Sequence, residues 1–411
     1  MERLIELKQC RVCKDANLKT FLSLGPIPLS NSFLKKEQLA DPELFFPLDV
    51  CFCGNCGMVQ LVQVVDAEVM FKDYAYFTGT SAPMATHFDE MARTIVRKFN
   101  LPMNSLVADI GSNDGTLLSR FQEQGMRVLG IEPATNIAKL ANDNGISTVN
   151  EFFSESTARS IYSSKGRPMV MTATNVFAHV NDLDDFVRGI QLMLDDNGVF
   201  VIEVPYLVDM LNKVEFDTIY HEHLSYFAVR PMVALFKRFG MRVIDVERIA
   251  VHGGSIRVYA AKGERNPSVD VEMLLKLEAD AGLDKFEVYD KFANQVRDIR
   301  KELVALLKDL KSKGKSIVGY GASAKGNILV NYCKIGTDML NYIADTTPYK
   351  QGLFSPGVHI PVVAFDKYYS DPPDYTLLLA WNYAKEILSK EHKYLQTGGK
   401  FIVPIPRPRI I

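Results

Sequence analysis

The sequence predicts an α/β protein of three parts: a zinc-binding N-terminal module, a central Rossmann-like domain, and a second Rossmann-like domain at the C-terminus. Five of the six cysteines lie within the first 56 residues, which indicates a metal-held module. Short apolar strands alternate with helices from about 71 to 265 and again after Lys315, a pattern typical of parallel sheets covered by helices. We therefore expect domains at 1–70, 71–265 and 266–411.

The individual elements follow from hydrophobic spacing. In the first module, the apolar run Met58–Val65 predicts small strands. In the second, we expect helices at Gly115–Gln124 and Pro133–Asn144, and strands at Ser105–Ile110, Arg127–Ile131, Pro168–Thr172, Gly198–Val204, Met241–Val246 and His252–Ala261. Residues 268–313 have helical spacing and no internal proline, so they predict one long helix or a helical pair before the last alternating region.

Composition excludes several classes of protein. A chain of 411 residues exceeds one ordinary core, and its net charge of −2 gives no electrostatic reason to bind nucleic acid or an acidic membrane. The N-terminus is charged where a secretory signal would be apolar, and no apolar run approaches the ~20 residues that span a bilayer. We expect a cytoplasmic protein with no obligate protein partner.

The cysteines form two pairs with metal-ligand spacing. Two Cys-x-x-Cys turns can each aim two thiolates at one point and together complete a tetrahedral S4 site suited to Zn²⁺. Such a site leaves no open coordination position, so the metal is expected to be structural. The predicted ligands are Cys10, Cys13, Cys53 and Cys56, with Cys51 open as a substitute.

The run Val107–Thr116 is a strand, a glycine turn and the start of a helix. Asp109 and Asp114 would repel a pyrophosphate but tolerate the cationic S-adenosylmethionine. Glu132 ends the next strand, where an acid can accept both ribose hydroxyls. We therefore predict an S-adenosylmethionine site formed by Asp109, Gly111, Ser112, Asn113, Asp114, Gly115, Glu132, Pro133, Thr174 and Asn175.

A stretch rich in hydrogen-bonding groups, Tyr220-His-Glu-His223, follows a later strand and contains two of the seven histidines. In an extended chain Tyr220 and Glu222 would share one face, and His221 and His223 the other. We expect His221 to be structural and bonded to backbone.

A second glycine turn, in Ser316–Asn327, fits a dinucleotide fingerprint through Gly319, Gly321 and Ala324, with Asp345 ending the next strand. Taken alone, it favours the alternative of a NAD(P)-dependent nucleotide-sugar dehydrogenase or epimerase.

Taken together, these motifs resemble one family over nearly the whole chain: the zinc-containing C-methyltransferases that build branched deoxysugars, usually on thymidine-diphosphate carriers. The resemblance includes the cysteine pairs, Ala108–Thr116, Asn175–His179, Tyr220–His223, His252–Arg257 and Gly319–Asn327. It implies methyl transfer from S-adenosylmethionine to a carbon beside the keto group of a nucleotide-linked 4-keto-deoxysugar, through an enolate.

The resemblance also implies residue roles. It makes His223 the general base, with Glu222, Tyr220 and His179 in the active site. A further tyrosine matches Tyr76, with Tyr74 as a rival. The second glycine turn would then hold the nucleotide carrier, and the predicted substrate-binding residues are Ser323, Lys325, Asn327, Asp345, Lys350 and Trp381. Thr346-Thr347 replace the Arg-Asn pair more usual in the family, which affects sugar or carrier preference.

Overall fold

The N-terminal module is built from short antiparallel strands. A computed structural model describes residues 4–66 and 82–411. The strands of the module are β1 (Leu4–Glu6), β2 (Leu18–Ile27), β3 (Phe46–Cys53), β4 (Val59–Leu61) and β5 (Gln63–Val65). β1 pairs with β5, while β2, β3 and β4 form a second sheet. That sheet is completed by β11 (Ser225–Tyr226), which comes from much later in the chain. The module is therefore joined to the central region by main-chain hydrogen bonds.

The central region holds a seven-stranded sheet of order β12-β13-β10-β9-β6-β7-β8. Its strands are β6 (Leu106–Ile110), β7 (Arg127–Ile131), β8 (Thr148–Val149), β9 (Val170–Thr174), β10 (Val199–Pro205), β12 (Met241–Ile249) and β13 (Ser255–Lys262). Five neighbouring strands, β8, β7, β6, β9 and β10, pair in parallel. β13 pairs antiparallel with both β10 and β12. The carboxyl ends of the parallel strands therefore meet at one edge, where ligands bind in folds of this type.

Helices cover this sheet through apolar stripes such as Leu117, Leu118 and Phe121. They are α1 (Ala82–Lys98), α2 (Thr116–Glu123), α3 (Thr135–Asp143), α4 (Glu155–Lys165), α5 (Leu183–Met193), α6 (Leu207–Lys213) and α7 (Val229–Arg238). The stretch 268–313 is the helical pair that its spacing allowed, α8 (Val269–Asp280) and α9 (Phe286–Ser312).

The C-terminal region repeats the alternating pattern on a smaller scale. Its six-stranded sheet has the order β16-β15-β14-β17-β18-β19, parallel except for the last pair. The strands are β14 (Ile317–Tyr320), β15 (Ile343–Ala344), β16 (Val362–Val363), β17 (Tyr375–Leu378), β18 (Lys400–Val403) and β19 (Arg409–Ile410). The helices are α10 (Ala324–Cys333), α11 (Phe365–Ser370), α12 (Ala384–Lys390) and α13 (His392–Gln396). The predicted α/β fold with two Rossmann-like sheets is confirmed.

Within residues 4–66 and 82–411, no helix combines the length and apolar character that crossing a bilayer requires.

Candidate active site

Four cysteine sulfurs converge in the N-terminal module. The Sγ atoms of Cys10, Cys13, Cys53 and Cys56 all lie within 4.8 Å of one another. Cys10 and Cys56 are 3.6 Å apart, and Cys13 and Cys53 are 3.5 Å apart. Zn–S bonds of about 2.3 Å give tetrahedral S···S edges of about 3.8 Å, so these sulfurs fit a zinc ion. Cys51 lies outside the group, which settles the ligand choice left open by the sequence.

The cysteine module braces the turn that contains the predicted base. Arg11 lies between two of the cysteines, and its Nη1 donates to the carbonyls of Leu61 and Leu224 at 2.8 and 3.1 Å. The backbone N–H of Leu61 also donates to the carbonyl of Leu224, at 3.0 Å. Because Leu224 directly follows His223, the metal-held module fixes one end of this turn.

The first glycine turn lies at the carboxyl edge of the central sheet. Gly111 has φ +63°, and a Cβ there would lie 2.4 Å from Cγ2 of Val176, so a side chain at this position would collide with its neighbour. Gly115, also at positive φ, begins α2 with Ile146 close behind it. Both glycines are therefore required by the positive φ and close packing of this turn.

Two acids line this edge with different partners. Asp109 is buried, and its Oδ1 accepts a hydrogen bond from Oγ1 of Thr172 at 2.6 Å. Burial raises the pKa of Asp109 to about 7. Glu132 accepts from the backbone N–H groups of Asn113 and Ala134 at 3.0 and 2.9 Å, and burial raises its pKa. Glu132 thus shapes the glycine turn from the neighbouring strand.

The other predicted cofactor residues gather at the same edge. Asp114 accepts from the hydroxyl of Thr116 at 2.5 Å, so its carboxylate stabilises the first turn of α2. Pro133 precedes α3. Within the described ranges, Oγ of Ser112 and Oγ1 of Thr174 are buried without a hydrogen-bond partner in the chain. Asn175 follows β9 with φ +57°, and its N–H donates to the carbonyl of Glu203.

The Tyr220–His223 segment is a tight turn, whereas the faces expected from its sequence assumed an extended chain. The backbone N–H of His223 donates to the carbonyl of Tyr220 at 2.8 Å, which closes the turn. Tyr220 and His223 therefore lie side by side, with ring centroids 3.9 Å apart, whereas alternation had placed them on opposite faces. His221 points away and meets the carbonyl of Phe46 at 3.2 Å.

The hydrogen bonds of His223 determine its tautomer. Nδ1 lies 2.8 Å from the carbonyl oxygen of Thr218, which can only accept, so Nδ1 carries the proton. Nε2 of the neutral ring is then the basic atom, and the hydroxyl of Tyr220 donates to it at 2.7 Å. This arrangement presents a basic ring nitrogen and a hydroxyl donor at one point.

Two further histidines surround this pair in different roles. The ring of His179 lies edge-on to His223 with centroids 5.0 Å apart, and it interacts with the backbone of Glu222 and Asn175. Burial lowers the pKa of His179 to about 4, so it is neutral at pH 7. Burial likewise lowers the pKa of His221 to about 4, and its bond to Phe46 confirms the predicted structural role. His179 thus links Asn175, at the carboxyl edge of the central sheet, to the turn formed by Tyr220–His223, which is called the catalytic turn below for its predicted role.

Glu222 is a buried carboxyl beside the predicted base. Only 7% of its surface is exposed, and burial raises its pKa to about 7. Its Oε1 accepts a hydrogen bond from Nδ2 of Asn31 at 2.7 Å. At neutral pH this carboxyl can therefore either donate or accept a proton.

The second glycine turn carries the predicted substrate residues. Oγ of Ser323 caps α10 by accepting from the N–H of Gly326 at 3.0 Å. Asp345 accepts from the N–H of Ala322 at 2.6 Å, and Nζ of Lys350 donates to the Ala322 carbonyl at 2.8 Å. Asn327 is buried and donates to the carbonyl of Ser30 at 2.7 Å.

Lys325 and Trp381 connect this turn to the segment that precedes the catalytic turn. Nζ of Lys325 lies 3.4 Å from Glu215, and Nε1 of Trp381 donates to buried Asp217 at 2.6 Å. Asp217 directly precedes Thr218, which orients His223. The sequence analysis missed Thr218, Asp217 and Asn31, since each acts through a contact that no local motif signals. Tyr76 and Tyr74 lie outside the described residues.

Comparison with known proteins covers nearly the whole chain. Three family models match: "Putative zinc binding domain" over residues 10–71, "Methyltransferase domain" over 85–246, and "C-methyltransferase C-terminal domain" over 250–406. The chain is 37% identical to the C-methyltransferase NovU of Streptomyces niveus over 409 residues, which cover 98% of this chain and 97% of that protein.

Solved structures similar to the chain are more distant. The SAM-bound magnesium protoporphyrin IX methyltransferase ChlM of Synechocystis PCC 6803 is 12% identical and covers 46% of this chain and 86% of its own, with a TM-score of 0.34. The plantazolicin methyltransferase BpumL, in complex with a pentazolic substrate analogue and SAH, is 13% identical and covers 45% and 88%, with a TM-score of 0.36.

The zinc prediction is confirmed by the matched zinc binding domain together with the four converging thiols. A methyltransferase needs a methyl donor, and the acids Asp109 and Glu132 at the carboxyl edge of the central sheet fit S-adenosylmethionine, as the sequence predicted. Full-length similarity to a C-methyltransferase, with three matching domain models along the chain, shows that this chain belongs to the zinc-binding C-methyltransferase family.

Proposed function

We propose that the chain methylates a carbon adjacent to the keto group of a nucleotide-linked 4-keto-deoxysugar, with thymidine diphosphate as the expected carrier. The observation that carries this proposal is the His223–Tyr220 pair, whose basic Nε2 and hydroxyl lie 2.7 Å apart. S-adenosylmethionine, bound at the central sheet edge, supplies an electrophilic methyl group on a sulfonium centre.

The chemistry of the turn suits removal of a proton from carbon. A keto group acidifies the hydrogen on the adjoining carbon, and a neutral imidazole with a pKa near ~6.5 in solution can accept that proton at neutral pH. Nδ1 of His223 already donates to the Thr218 carbonyl, so the proton taken from carbon would go to Nε2. The resulting imidazolium would keep both nitrogens hydrogen-bonded, with Nδ1 on the Thr218 carbonyl.

The enolate oxygen needs a hydrogen-bond donor as it gains charge. The hydroxyl of Tyr220 lies against Nε2 of His223, so it reaches the region where a substrate would be deprotonated. Glu222, with a pKa near 7, can also donate when protonated. Donors already positioned in a water-poor site stabilise developing charge more strongly than water does.

The nucleotide part of the substrate fits the second glycine turn. Lys325 and Lys350 both lie at this turn, which leads into the N-terminus of α10. Phosphates bind where helix N-termini and cations coincide. Trp381 and Lys325 also contact the segment before Thr218, so a nucleotide held here would lie near the catalytic turn.

The proposal is tested with S-adenosylmethionine and a panel of nucleotide-linked 4-keto-deoxysugars in heavy water, followed by mass spectrometry and by NMR of the carbon-linked methyl group. Wild-type enzyme should give a methylated product, and His223→Ala should slow its formation by roughly 10²–10⁴-fold because the base is lost. His392→Ala, at an exposed histidine of α13, is the matched control and should retain full activity.

Different failures have different meanings. Deuterium uptake without methyl gain would support the base and reject the sugars tried. Absence of both signals, together with binding of a nicotinamide cofactor to the second glycine turn, would contradict the proposal and favour the dehydrogenase alternative.

A further inference from the structure

Asn31 of the N-terminal module contacts an acid in the proposed active site. Its Nδ2 donates to Oε1 of Glu222 at 2.7 Å, across 191 positions of sequence. Asn31 itself is exposed, whereas Glu222 is buried. The hydrogen bond therefore joins a surface side chain to a carboxyl in the protein interior.

The residues beside Asn31 contact the C-terminal region. The carbonyl of Ser30 accepts from Nδ2 of Asn327, a buried residue in the first turn of α10. A few positions later, Leu34 pairs with Phe354 through two main-chain hydrogen bonds. Residues 30–34 therefore touch the second glycine turn and the catalytic turn at the same time.

We propose that Asn31 is a positioning residue whose side-chain amide holds the Glu222 carboxyl in place. The carbonyl of its neighbour Ser30 bonds Asn327 and so links this contact to the second glycine turn, the proposed nucleotide site. This inference rests on the proposed function, because it assumes that Glu222 belongs to the active site. It also gives the zinc-held module a part in catalysis beyond bracing the fold.

The surroundings of Glu222 make this single hydrogen bond important. Its pKa is raised by burial and lowered by the hydrogen bond from Asn31. His221 and His223 flank it in the sequence, and His179 interacts with its backbone. His221 and His179 are neutral at pH 7 because burial lowers their pKa values, so no cation from these two rings replaces the amide of Asn31.

The test measures the Glu222 titration directly, without substrate. Protein labelled with ¹³C at glutamate carboxyls is titrated by NMR, and Glu222→Gln identifies the signal. Loss of a hydrogen bond to a charged group in Asn31→Ala should raise this pKa by about one unit. Asn31→Asp, which replaces the donor with an acid, should raise it further. Ser32→Ala, at the exposed neighbouring position, should leave it unchanged.

Kinetics separate positioning from a purely structural role. Asn31→Ala should lower kcat about tenfold with KM for the sugar within about twofold, and it should move to higher pH whichever limb of the kcat–pH profile follows the titration of Glu222. Asn31→Ser, which keeps a donor, should recover part of the rate.

An unchanged Glu222 titration in Asn31→Ala would overturn the proposal, as would equal loss of activity in Ser32→Ala. Because the titration uses no substrate, it decides the role of Asn31 even if none of the sugars is methylated, in which case only the proposed function fails.

Discussion

The central sheet and the C-terminal sheet each present a glycine turn to a neighbouring strand, yet the two turns differ in charge. In the central turn, Glu132 at the end of β7 accepts from the N–H of Asn113 at 3.0 Å. In the C-terminal turn, Asp345 after β15 accepts from the N–H of Ala322 at 2.6 Å. The backbone is stabilised in the same way in both places, by an acid from the adjacent parallel strand.

The side chains around the two turns separate them. The central turn has Asp109 at the end of its strand, and no lysine or arginine occurs in 107–119. The C-terminal turn has Lys325 in the first turn of its helix and Lys350 bonded to its backbone. Parallel topology thus creates a similar edge twice, and under the proposed function the charges assign a sulfonium ligand to one edge and a phosphate to the other.

The largest expected effect comes from adding a methyl group to each turn. Gly111 has φ +63° and Gly321 has φ +88°, and a Cβ would lie 2.4 Å from Val176 in the first case and 2.9 Å from Ala380 in the second. Because backbone strain and a collision are both imposed, Gly111→Ala should weaken S-adenosylmethionine binding about 100-fold and leave thymidine diphosphate binding unchanged. Gly321→Ala should weaken thymidine diphosphate binding and leave S-adenosylmethionine binding unchanged. Both affinities are measured by isothermal titration calorimetry.

A matched control isolates the collision from the strain. Gly145 also has positive φ, +81°, but nothing lies within 4 Å of its Cβ position, so Gly145→Ala should lower stability slightly and leave both affinities intact. If Gly111→Ala and Gly321→Ala weakened the same ligand, the division of labour between the two turns would be wrong.

A smaller effect is expected from removing a cation of the second turn. Lys325→Met should weaken thymidine diphosphate binding about 30-fold, since a charge-assisted hydrogen bond to phosphate is lost, while S-adenosylmethionine binding stays the same. Lys385→Met, at an exposed position of α12, is the control. The affinity of the wild-type protein for thymidine diphosphate should fall more steeply with added salt than the affinity of Lys325→Met does.

Lys325 also lies 3.4 Å from the buried carboxylate of Glu215, so its loss leaves that charge unpaired. The double variant Glu215→Gln with Lys325→Met removes this complication. If the double variant regained full affinity for thymidine diphosphate, Lys325 would act only by neutralising Glu215, and the phosphate role would be rejected.

The same contrast explains which features could be predicted from sequence. The strand Arg127–Ile131 and the glycine turns follow from local hydrophobic period and backbone freedom, and the structure contains them where expected. The Tyr220–His223 segment was predicted as extended because two-residue alternation ignores the hydrogen bond that closes it. Its anchors, Asn31 and Arg11, are more than 190 positions away, so only tertiary contacts specify the turn.

The smallest expected effect is a pH dependence confined to the central turn. Burial raises the pKa of Asp109 to about 7, so the folded chain holds this proton more tightly than the unfolded chain, whose Asp titrates near ~4. The stability that this protonation contributes is complete below about pH 4 and is lost as pH rises through about 7. A cationic cofactor near Asp109 favours the charged form instead, so its binding should release a proton.

S-adenosylmethionine affinity should therefore rise by at most about tenfold between pH 6 and pH 8, the limit for one linked proton with a pKa near 7. Calorimetry in buffers of different ionisation enthalpy measures the proton released. Asp109→Asn should abolish both effects, whereas Asp143→Asn, at an exposed acid of α3, should not. S-adenosylhomocysteine, which lacks the sulfonium charge, should show a weaker dependence. If it matched S-adenosylmethionine, the sulfonium would not be what Asp109 senses, and the acids of the central turn would not account for its ligand preference.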